Sequence, residues 1–465
     1  MKIRSRKIPK ITLLAVGALI LGSVHVAQGA VDPLQLEQRV LVLERQIEIQ
    51  KEESEAKKQT AVTLNADRSG FSFYNADKSW GLKIGGLVQA DARIYFGDTL
   101  KPQNNSLLPR RARLQLDANI GAKLKLRLQE DFVSGSVVDA YGELKPLPYT
   151  TLRFGLFKTP LSLERWRSDP TRDWVELGYT GSLVTDRDSG AWLELADADQ
   201  AFSLGAGVFN GNVNTSNIIV TDSDDDKDVV LKFFSHPFRA LDSVTLRDFG
   251  FGIAGSSGYR GTGSPLPTYK SLGQSSSTIY AYAAGTTVTG ASWRVVPQAY
   301  LFWNSLSILG EYVRSVENVQ RANTGANKVT QAELGAEAWQ IQLGWVLTGG
   351  DPSFNGLKLD KGSSGALQFV GRYQELAFDP ASFNRLKATG TTVQQARFAD
   401  PRSAVSQVKA WGLGINYVPV DNLKLQLDWE QSLFKDGASS GTGTQTRTVD
   451  RETENVLFAR AQFNF

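Results

Sequence analysis

The chain contains no cysteine, one methionine and two histidines in 465 residues. Without cysteine there is no disulfide framework, no thiolate zinc site and no thiol nucleophile. Two histidines exclude a multi-histidine metal site and leave little for a Ser-His-Asp hydrolase. One of them, His25, falls in the leader described below. The other, His236, precedes Pro237, has no evident nucleophile partner and reads as structural. Beyond residue 30 no apolar run approaches the ~18–20 residues of a transmembrane helix. An excess of charge is missing too: 51 Lys and Arg stand against 48 Asp and Glu, a formal +3.

That small excess belongs to the N-terminus. Residues 1–30 read as a secretory signal, with Lys2, Arg4, Arg6, Lys7 and Lys10 in the n-region. Ile11 to Leu21 form its apolar core, and Ala27-Gln28-Gly29-Ala30 a small-residue cleavage zone. Removing those five cations leaves 46 basic residues against 48 acidic ones, a net of −2 (51 − 5 = 46). Net charge therefore argues nothing for nucleic acid. A calcium-loop imitation at Asp222, Asp224, Asp226 and Asp228 fails as an EF-hand. Lys227 occupies the turn glycine position and Phe233 that of the bidentate Glu. No cofactor, metal or catalytic constellation is expected.

What is present is glycine (43 residues), aromatics (10%) and alternation. Mean hydropathy of −0.23 suits a soluble protein, but equally a membrane β-barrel whose strands average a lipid face with a watery one. In Trp80–Phe96 the even positions are nearly all apolar, while Lys83, Gln89, Asp91 and Arg93 occupy odd ones. Arg111–Asn119, Ala122–Gln129, Val138–Lys145 and Thr151–Lys158 repeat the pattern. A soluble sandwich would alternate as well. Segments of 8–17 residues, with long connectors (Gly97–Pro109, Lys158–Asp188) alternating with tight ones, match tilted membrane strands better. At ~24 residues per strand and connector, the expectation is an all-β, transmembrane antiparallel β-barrel of about 16 strands over residues 62–465. The last segment, Asn455–Phe465, ends on Phe, as do strands read by barrel-assembly machinery.

Residues 31–61 read as an N-terminal helix on the periplasmic side. Asp32-Pro33 suits a helix opening, and Leu36, Val40, Leu43 and Ile47 give a coiled-coil seam of about two heptads. Two heptads are marginal alone, so a trimeric stalk would need the barrel to hold the chains together. Thr442-Gly443-Thr444 and the Ser/Gly-rich stretch 255–277 read as mobile surface loops.

The odd-numbered polar faces would point into the lumen. Lys83, Lys123, Lys125, Arg127 and Lys145 are then the basic lining towards the periplasmic side, with Arg111 and Arg113 higher. Arg110 is out of phase and belongs to the outer strand end, from where it can swing inward. The connector after the fifth strand, long enough to fold into the lumen, adds Arg165, Arg167 and Arg172 with Ser162, Ser168 and Thr171. Guanidinium forks and hydroxyls suit a tetrahedral oxyanion, because they replace its hydration shell with directed hydrogen bonds. A narrow ring of positive charge selects anions. The competing possibility is a mixed-charge wall, in which Asp91, Asp117, Asp139, Glu143 and Glu164 neutralise these cations.

Arg110-Arg111-Ala112-Arg113-Leu114, Arg153-Phe154-Gly155 followed by Leu163-Glu164, Leu343–Gly349 and Gly371-Arg372-Tyr373 resemble the phosphate- and polyphosphate-selective porins of Gram-negative outer membranes. The resemblance implies a homotrimer of 16-stranded barrels in outer-membrane lipid, with the third loop folded inside, passing anions to the periplasm. By position Arg110 and Arg111 look like the family's paired constriction arginines, Arg165 like a phosphate-binding Lys and Ser168 like its hydroxyl ligand. Asp139 resembles an acid that shapes the site, and Lys83, Lys123 and Lys125 part of a periplasmic lysine cluster. The sequence departs from the family at Arg113, usually aromatic, and at Arg165, usually Lys. No outer arginine ladder is visible. The implied partner is inorganic phosphate, polyphosphate or a related anion. A porin for another solute and a non-channel outer-membrane anchor or adhesin are the alternatives.

Overall fold

The computed structural model describes residues 33–60, 62–67, 70–97, 104–211, 225–239, 246–261, 264–273, 278–322, 329–384, 397–441 and 446–465. The signal segment 1–30, Asp222, Asp224 and residues 442–444 lie outside them. Two compact units, Met1–Thr60 and Ala61–Phe465, are taken separately. In the first, helix α1 runs from Pro33 to Thr60. Its seam residues Val40, Leu43 and Ile47 are exposed, and so are Leu41 and Val42 beside them.

The second unit is a closed antiparallel barrel of 16 strands. They are β1 (Gly81–Phe96), β2 (Ser106–Ile120), β3 (Leu124–Asp131), β4 (Ser136–Leu144), β5 (Thr150–Lys158), β6 (Arg187–Ala196), β7 (Phe202–Phe209) and β8 (Asp228–Ser235). The second half holds β9 (Phe249–Arg260), β10 (Thr286–Trp303), β11 (Leu306–Ala322), β12 (Val329–Thr348), β13 (Ala366–Phe378), β14 (Val405–Val420), β15 (Leu423–Ser440) and β16 (Glu454–Asn464). Each strand pairs with the next. The ring closes where Leu87–Phe96 of β1 pairs with β16. Below that seam a short hairpin, Thr63–Asp67 and Gly70–Tyr74, takes over as partner of Gly81–Ile84. The terminal Phe465 is part of the closure: its N–H donates to Gly86 O at 3.1 Å and its O accepts from Gly86 N at 3.0 Å. No barrel edge is left open there, which removes the aggregation hazard of an unpaired strand.

Alternation sorts the side chains. Gln89, Asp91 and Arg93 of β1 are buried on the lumenal side, while Val88 and Ile94 face outward. On the outer wall Trp339, Tyr373 and Trp411 form one aromatic row, with ring centroids 5.4 and 6.5 Å apart. Trp345 and Phe369, 6.4 Å apart, begin a second. Ile341, Leu343, Leu413 and Ile415 lie between the rows, the apolar band and aromatic girdles of a membrane barrel.

Two features differ from the sequence expectation. The Ser/Gly stretch does not begin a surface loop. Residues 255–260 belong to β9, and Tyr269, Leu272, Ile279 and Tyr280 of the following connector are buried in the barrel's main apolar cluster. Small residues there leave room for inward-folded chain, and they erase the apolar period that would have marked the strand. Connectors at the short-turn end are also not uniformly tight. Residues 349–365 hold a hairpin, Gly350–Ser353 with Gly356–Leu359.

Candidate functional site

The connector between β5 and β6, residues 159–186, is packed against the inner wall of the barrel, and its local structure explains how. Ser162 caps a one-turn helix, Leu163–Trp166, by accepting from Arg165 N at 3.2 Å. Pro170 sits inside a second turn, Asp169–Thr171, where its missing N–H costs nothing. Turns this short leave backbone donors unsatisfied, and the wall of β11–β15 supplies acceptors. Glu311 Oε2 accepts from Leu163 N at 2.8 Å and Glu164 N at 3.2 Å. Asp428 Oδ2 accepts from Val175 N at 2.7 Å, and Gln374 Oε1 from Tyr179 N at 2.8 Å. In the other direction Glu164, buried, accepts from Gln340, Gln342 and Gly178 N, each at 3.0 Å, and pairs with Arg372 at 3.4 Å. A buried carboxylate is tolerated because each oxygen is occupied.

From the short-turn end, the hairpin at 350–359 meets the same loop. Phe354 O accepts from Arg167 Nε at 3.0 Å, and the Phe354 ring stacks on Tyr300 at 5.1 Å. Arg167 also donates to Asp173 at 2.8 Å and Thr171 O at 2.5 Å. Its fork therefore joins loop to hairpin.

The opposite wall, β1–β6, is basic. In β2 the pairing with β1 slips between Gln89 and Ala90, so Arg111 faces Gln89 while Pro109 faces Ala90. Arg110 is the extra residue of a β-bulge, and a bulge turns two consecutive side chains to one face. Both arginines consequently enter the lumen. Arg110 Nε contacts Glu176 Oε1 at 2.8 Å, Arg111 Nη1 donates to Gln89 at 2.8 Å, and Arg111 Nε lies 3.4 Å from Asp169. Arg113 contacts Asp131 at 2.8 Å and also pairs with Asp169.

Two loop carboxylates thus bridge to the basic wall. Asp169 pairs with Arg111, Arg113 and Arg172. Burial opposes its charge, but Arg111, Arg172 and Arg113 outweigh burial and hold the carboxyl well below its usual range. Glu176, between Arg110 and Arg93, is lowered likewise against burial. So is Asp186, next to Arg187 and Arg165.

Between loop and basic wall lies a cavity of about 450 Å³. Its charged lining is Lys83, Arg113, Arg127, Arg153, Lys158 and Arg187 against Asp139 and Asp169, six cations to two carboxylates. Ser168, Tyr141 and Trp166 complete the polar and aromatic part. Arg153 is the best held of these. It donates to Glu143 at 2.8 Å, and its guanidinium lies 4.7, 5.3 and 5.8 Å from the rings of Tyr141, Phe157 and Trp166. Asp117, Asp131 and Glu143 stand beside these cations on neighbouring strands and pair with Arg127, Arg113 and Arg153.

Residues 82–224 and 279–465 match the family model described as phosphate-selective porin O and P. The chain belongs to that family. It is an outer-membrane porin. No curated protein sequence matches it. Among solved structures it is similar to the trimer form of OmpT, an outer-membrane protein of Vibrio cholerae. That similarity has a TM-score of 0.50 and 10% identity, over 83% of this chain and 100% of that one. The outer-membrane channel DcaP of Acinetobacter baumannii gives a TM-score of 0.50 and 13% identity, over 83% and 98%. At such identity these likenesses speak for the fold alone.

In the porin, the residues singled out from sequence divide into three groups. Lys83, Arg113, Arg127, Asp139 and Ser168 line the cavity. Arg110, Arg111, Arg165, Arg167 and Arg172 lie around the loop, engaged with protein groups. Arg165 Nε donates to Gly181 O at 2.5 Å and its Nη1 lies 3.2 Å from Asp186. Arg172 pairs with Asp169 and donates to Glu164 O at 3.4 Å. Lys123, Lys125 and Lys145 belong to the short-turn mouth; Lys123 donates to Pro146 O at 3.1 Å and Lys145 lies 3.8 Å from Glu143. Asp139 accepts from Arg187 Nε at 2.9 Å.

Arg153, Lys158, Arg187, Asp169 and Glu176 are not among the candidate site residues read from the sequence. Arg153 had a usable signal, since it stands on the polar face of β5 in phase with Thr151. Arg187 and the loop acids had none, because their roles depend on which wall the loop meets. His236 bonds Tyr300 Oη at 2.6 Å through Nε2 and Gln200 O at 3.1 Å through Nδ1. Among the described residues no group of three or more metal-ligating side chains occurs.

Proposed function

We propose that this porin passes small oxyanions, phosphate or polyphosphate, into the periplasm by passive diffusion along the basic wall, working as a homotrimer with α1 on the periplasmic side. The observation that carries the reading is the six-to-two excess of cations on the cavity lining. Cations fixed in a narrow passage concentrate anions and repel cations, while a wall of several moderate contacts lets the ion leave again. Arg113 and Arg153 offer directed guanidinium donors, Ser168 a hydroxyl, and Lys83 a mobile ammonium. Arg111 and Arg110, aligned by the bulge, set the field above them. The family description, phosphate-selective, supports phosphate as the solute. The trimeric OmpT neighbour is compatible with trimers. The exposed seam of α1 suits a stalk, with Val40, Leu43 and Ile47 meeting their copies.

A second reading, a porin for another solute, is favoured by one observation. Arg110, Arg111, Arg113, Arg165, Arg167 and Arg172 each already face a carboxylate. Planar-bilayer recordings in chloride with phosphate titrated in separate the two. Phosphate block with anion preference supports the first; cation preference, or chloride current indifferent to phosphate, rejects it.

A further inference from the structure

A second lumenal cavity, of about 130 Å³, lies between the loop at 159–186, the hairpin at 350–359 and the β6–β10 wall. Trp166 lines both this cavity and the cationic one. An apolar cavity of about 150 Å³ holds one benzene, so the space suits a single six-membered ring. Its walls are aromatic. Phe234, Tyr300 and Phe354 stack in series, with ring centroids 5.5 and 5.1 Å apart and planes 27° from parallel at each step. Trp192 is laid against the wall by glycine. A Cβ on Gly205 would fall 1.9 Å from its Cζ2, and one on Gly207 2.8 Å from its Cε3.

Two charges interrupt this lining. Glu194 and Lys232 face Gly205 from opposite sides, so their chain positions are two strand spacings, about 9–10 Å, apart. Neither has an ion pair among the described residues. Glu194 accepts from Trp192 Nε1 at 3.4 Å and has further acceptor capacity. Lys232 Nζ lies 5.1 Å from the Trp166 ring centroid and 5.8 Å from that of Phe234. It makes no hydrogen bond among the described residues, which leaves an ammonium with three donors unanswered in a ring-lined space. Ser203 adds a hydroxyl to the lining, whereas His236 and Tyr300 Oη answer each other at 2.6 Å.

We infer that this cavity binds the ring of a neutral monosaccharide, at a solute site separate from the cationic cavity. The C–H faces of a pyranose pack on aromatic rings, while its edge hydroxyls both donate and accept. One carboxylate against one ammonium favours neither sign of charge, so an inorganic anion gains little here. A bare aromatic ring would leave both charged groups without a hydrogen bond, at a cost. A free amino acid carries its ammonium and carboxylate on one carbon, but Glu194 and Lys232 are set apart. Hydroxyls on opposite edges of one six-membered ring reach both.

The test is block of chloride current by glucose in planar bilayers, read from open-channel noise, for wild type, Glu194→Gln and Lys232→Met. Wild type shows saturable block, and tetrahydropyran, the same ring without hydroxyls, blocks at least tenfold less well. Each variant loses about tenfold in glucose affinity, as for one hydrogen bond to a charged group. Phosphate block measured on Glu194→Gln keeps this site apart from the anion reading, because removing a carboxylate cannot weaken anion binding. If a charge variant misfolds, as heat-modifiable gel mobility reports, Phe354→Leu takes its place. It keeps the backbone contact to Arg167, removes one ring and costs about threefold in glucose affinity. Absence of saturable block in wild type, glucose affinity equal to wild type in the variants, or tighter block by phenylalanine than by glucose overturns the assignment.

Discussion

The two halves of the lumen do opposite work. The β1–β6 wall lines the cavity with guanidinium and ammonium groups, most of the guanidinium groups paired with a neighbouring carboxylate. The β11–β15 wall presents carboxylates and a run of amides (Gln340, Gln342, Gln368, Gln374, Asn416, Gln426), almost all committed to the loop at 159–186 or to one another. Amides suit that task because each offers donors and an acceptor without charge, so a loop can be gripped without a net field. Selectivity needs the reverse: charge within reach of the solute. The comparison teaches that a net charge near zero can be divided unevenly across one lumen, with amides and acids anchoring the loop on one side and an excess of bases lining the cavity on the other.

Breaking the grip should have the largest consequence. Glu164→Leu leaves Arg372, Gln340 and Gln342 short of acceptors, a loss of about 3–5 kcal/mol for a buried charge network. The expected outcome is a released loop. Single-channel conductance rises severalfold, and limited proteolysis cuts within 159–186, while heat-modifiable mobility reports an intact barrel. Conductance equal to wild type would mean that the far wall does not hold the loop.

Next comes the basic wall. Arg153→Ala removes a cation held by three rings and also exposes Glu143 to the cavity. Reversal potentials in a salt gradient should show anion preference falling about threefold to tenfold, as expected for one to two charges in a partly screened passage. A control on the other half, Gln426→Leu, should leave preference as it was. Equal effects from both would erase the division.

Arg111→Ala and Arg165→Ala test the bulge against the loop. Each should weaken phosphate block, Arg111→Ala by about tenfold as for one charge-assisted hydrogen bond, with trimers intact on native gels. Arg165→Ala should do less, since its guanidinium is committed to Gly181 O and Asp186. Unchanged block in both would reject these residues as contributors.

The smallest effect is in pH. The carboxyls of Asp169, Glu176 and Asp186 are lowered in the fold, so their contribution to stability is complete above the ordinary carboxylate value of about 4. It is lost only as pH falls further, through their depressed values. Flicker from protonation of these three loop carboxylates should therefore begin only below about pH 4 in conductance traces. Flicker starting near pH 6 would point to a different titrating group.

Legibility in the sequence followed the physics of each wall. Where lipid touches one face and water the other, as in β1 and β3, the period of two is plain, and fold class, strand number and the lumenal face of Lys83 and Arg127 come with it. At the long-loop end the environment inverts. Leu334, Val319 and Val408 face inward under folded connectors, while Glu337, Lys409 and Lys435 face outward. Alternation persists there with its meaning reversed, which is why strands past residue 200 resisted placement. Arg110 shows the limit most sharply. Counting residues puts it outside the lumen, and a single bulged pairing puts it inside.

By itself the sequence determined what local rules control: an exported chain without cysteine chemistry, strands that alternate, a terminal strand ending on Phe, and a concentration of bases in residues 110–127. Tertiary structure decided which bases line the cavity and which carboxylate each of them meets. The reason is that pairing across a lumen joins residues far apart in the chain, such as Glu164 with Arg372 or Glu176 with Arg110. No periodicity encodes the distance between two walls.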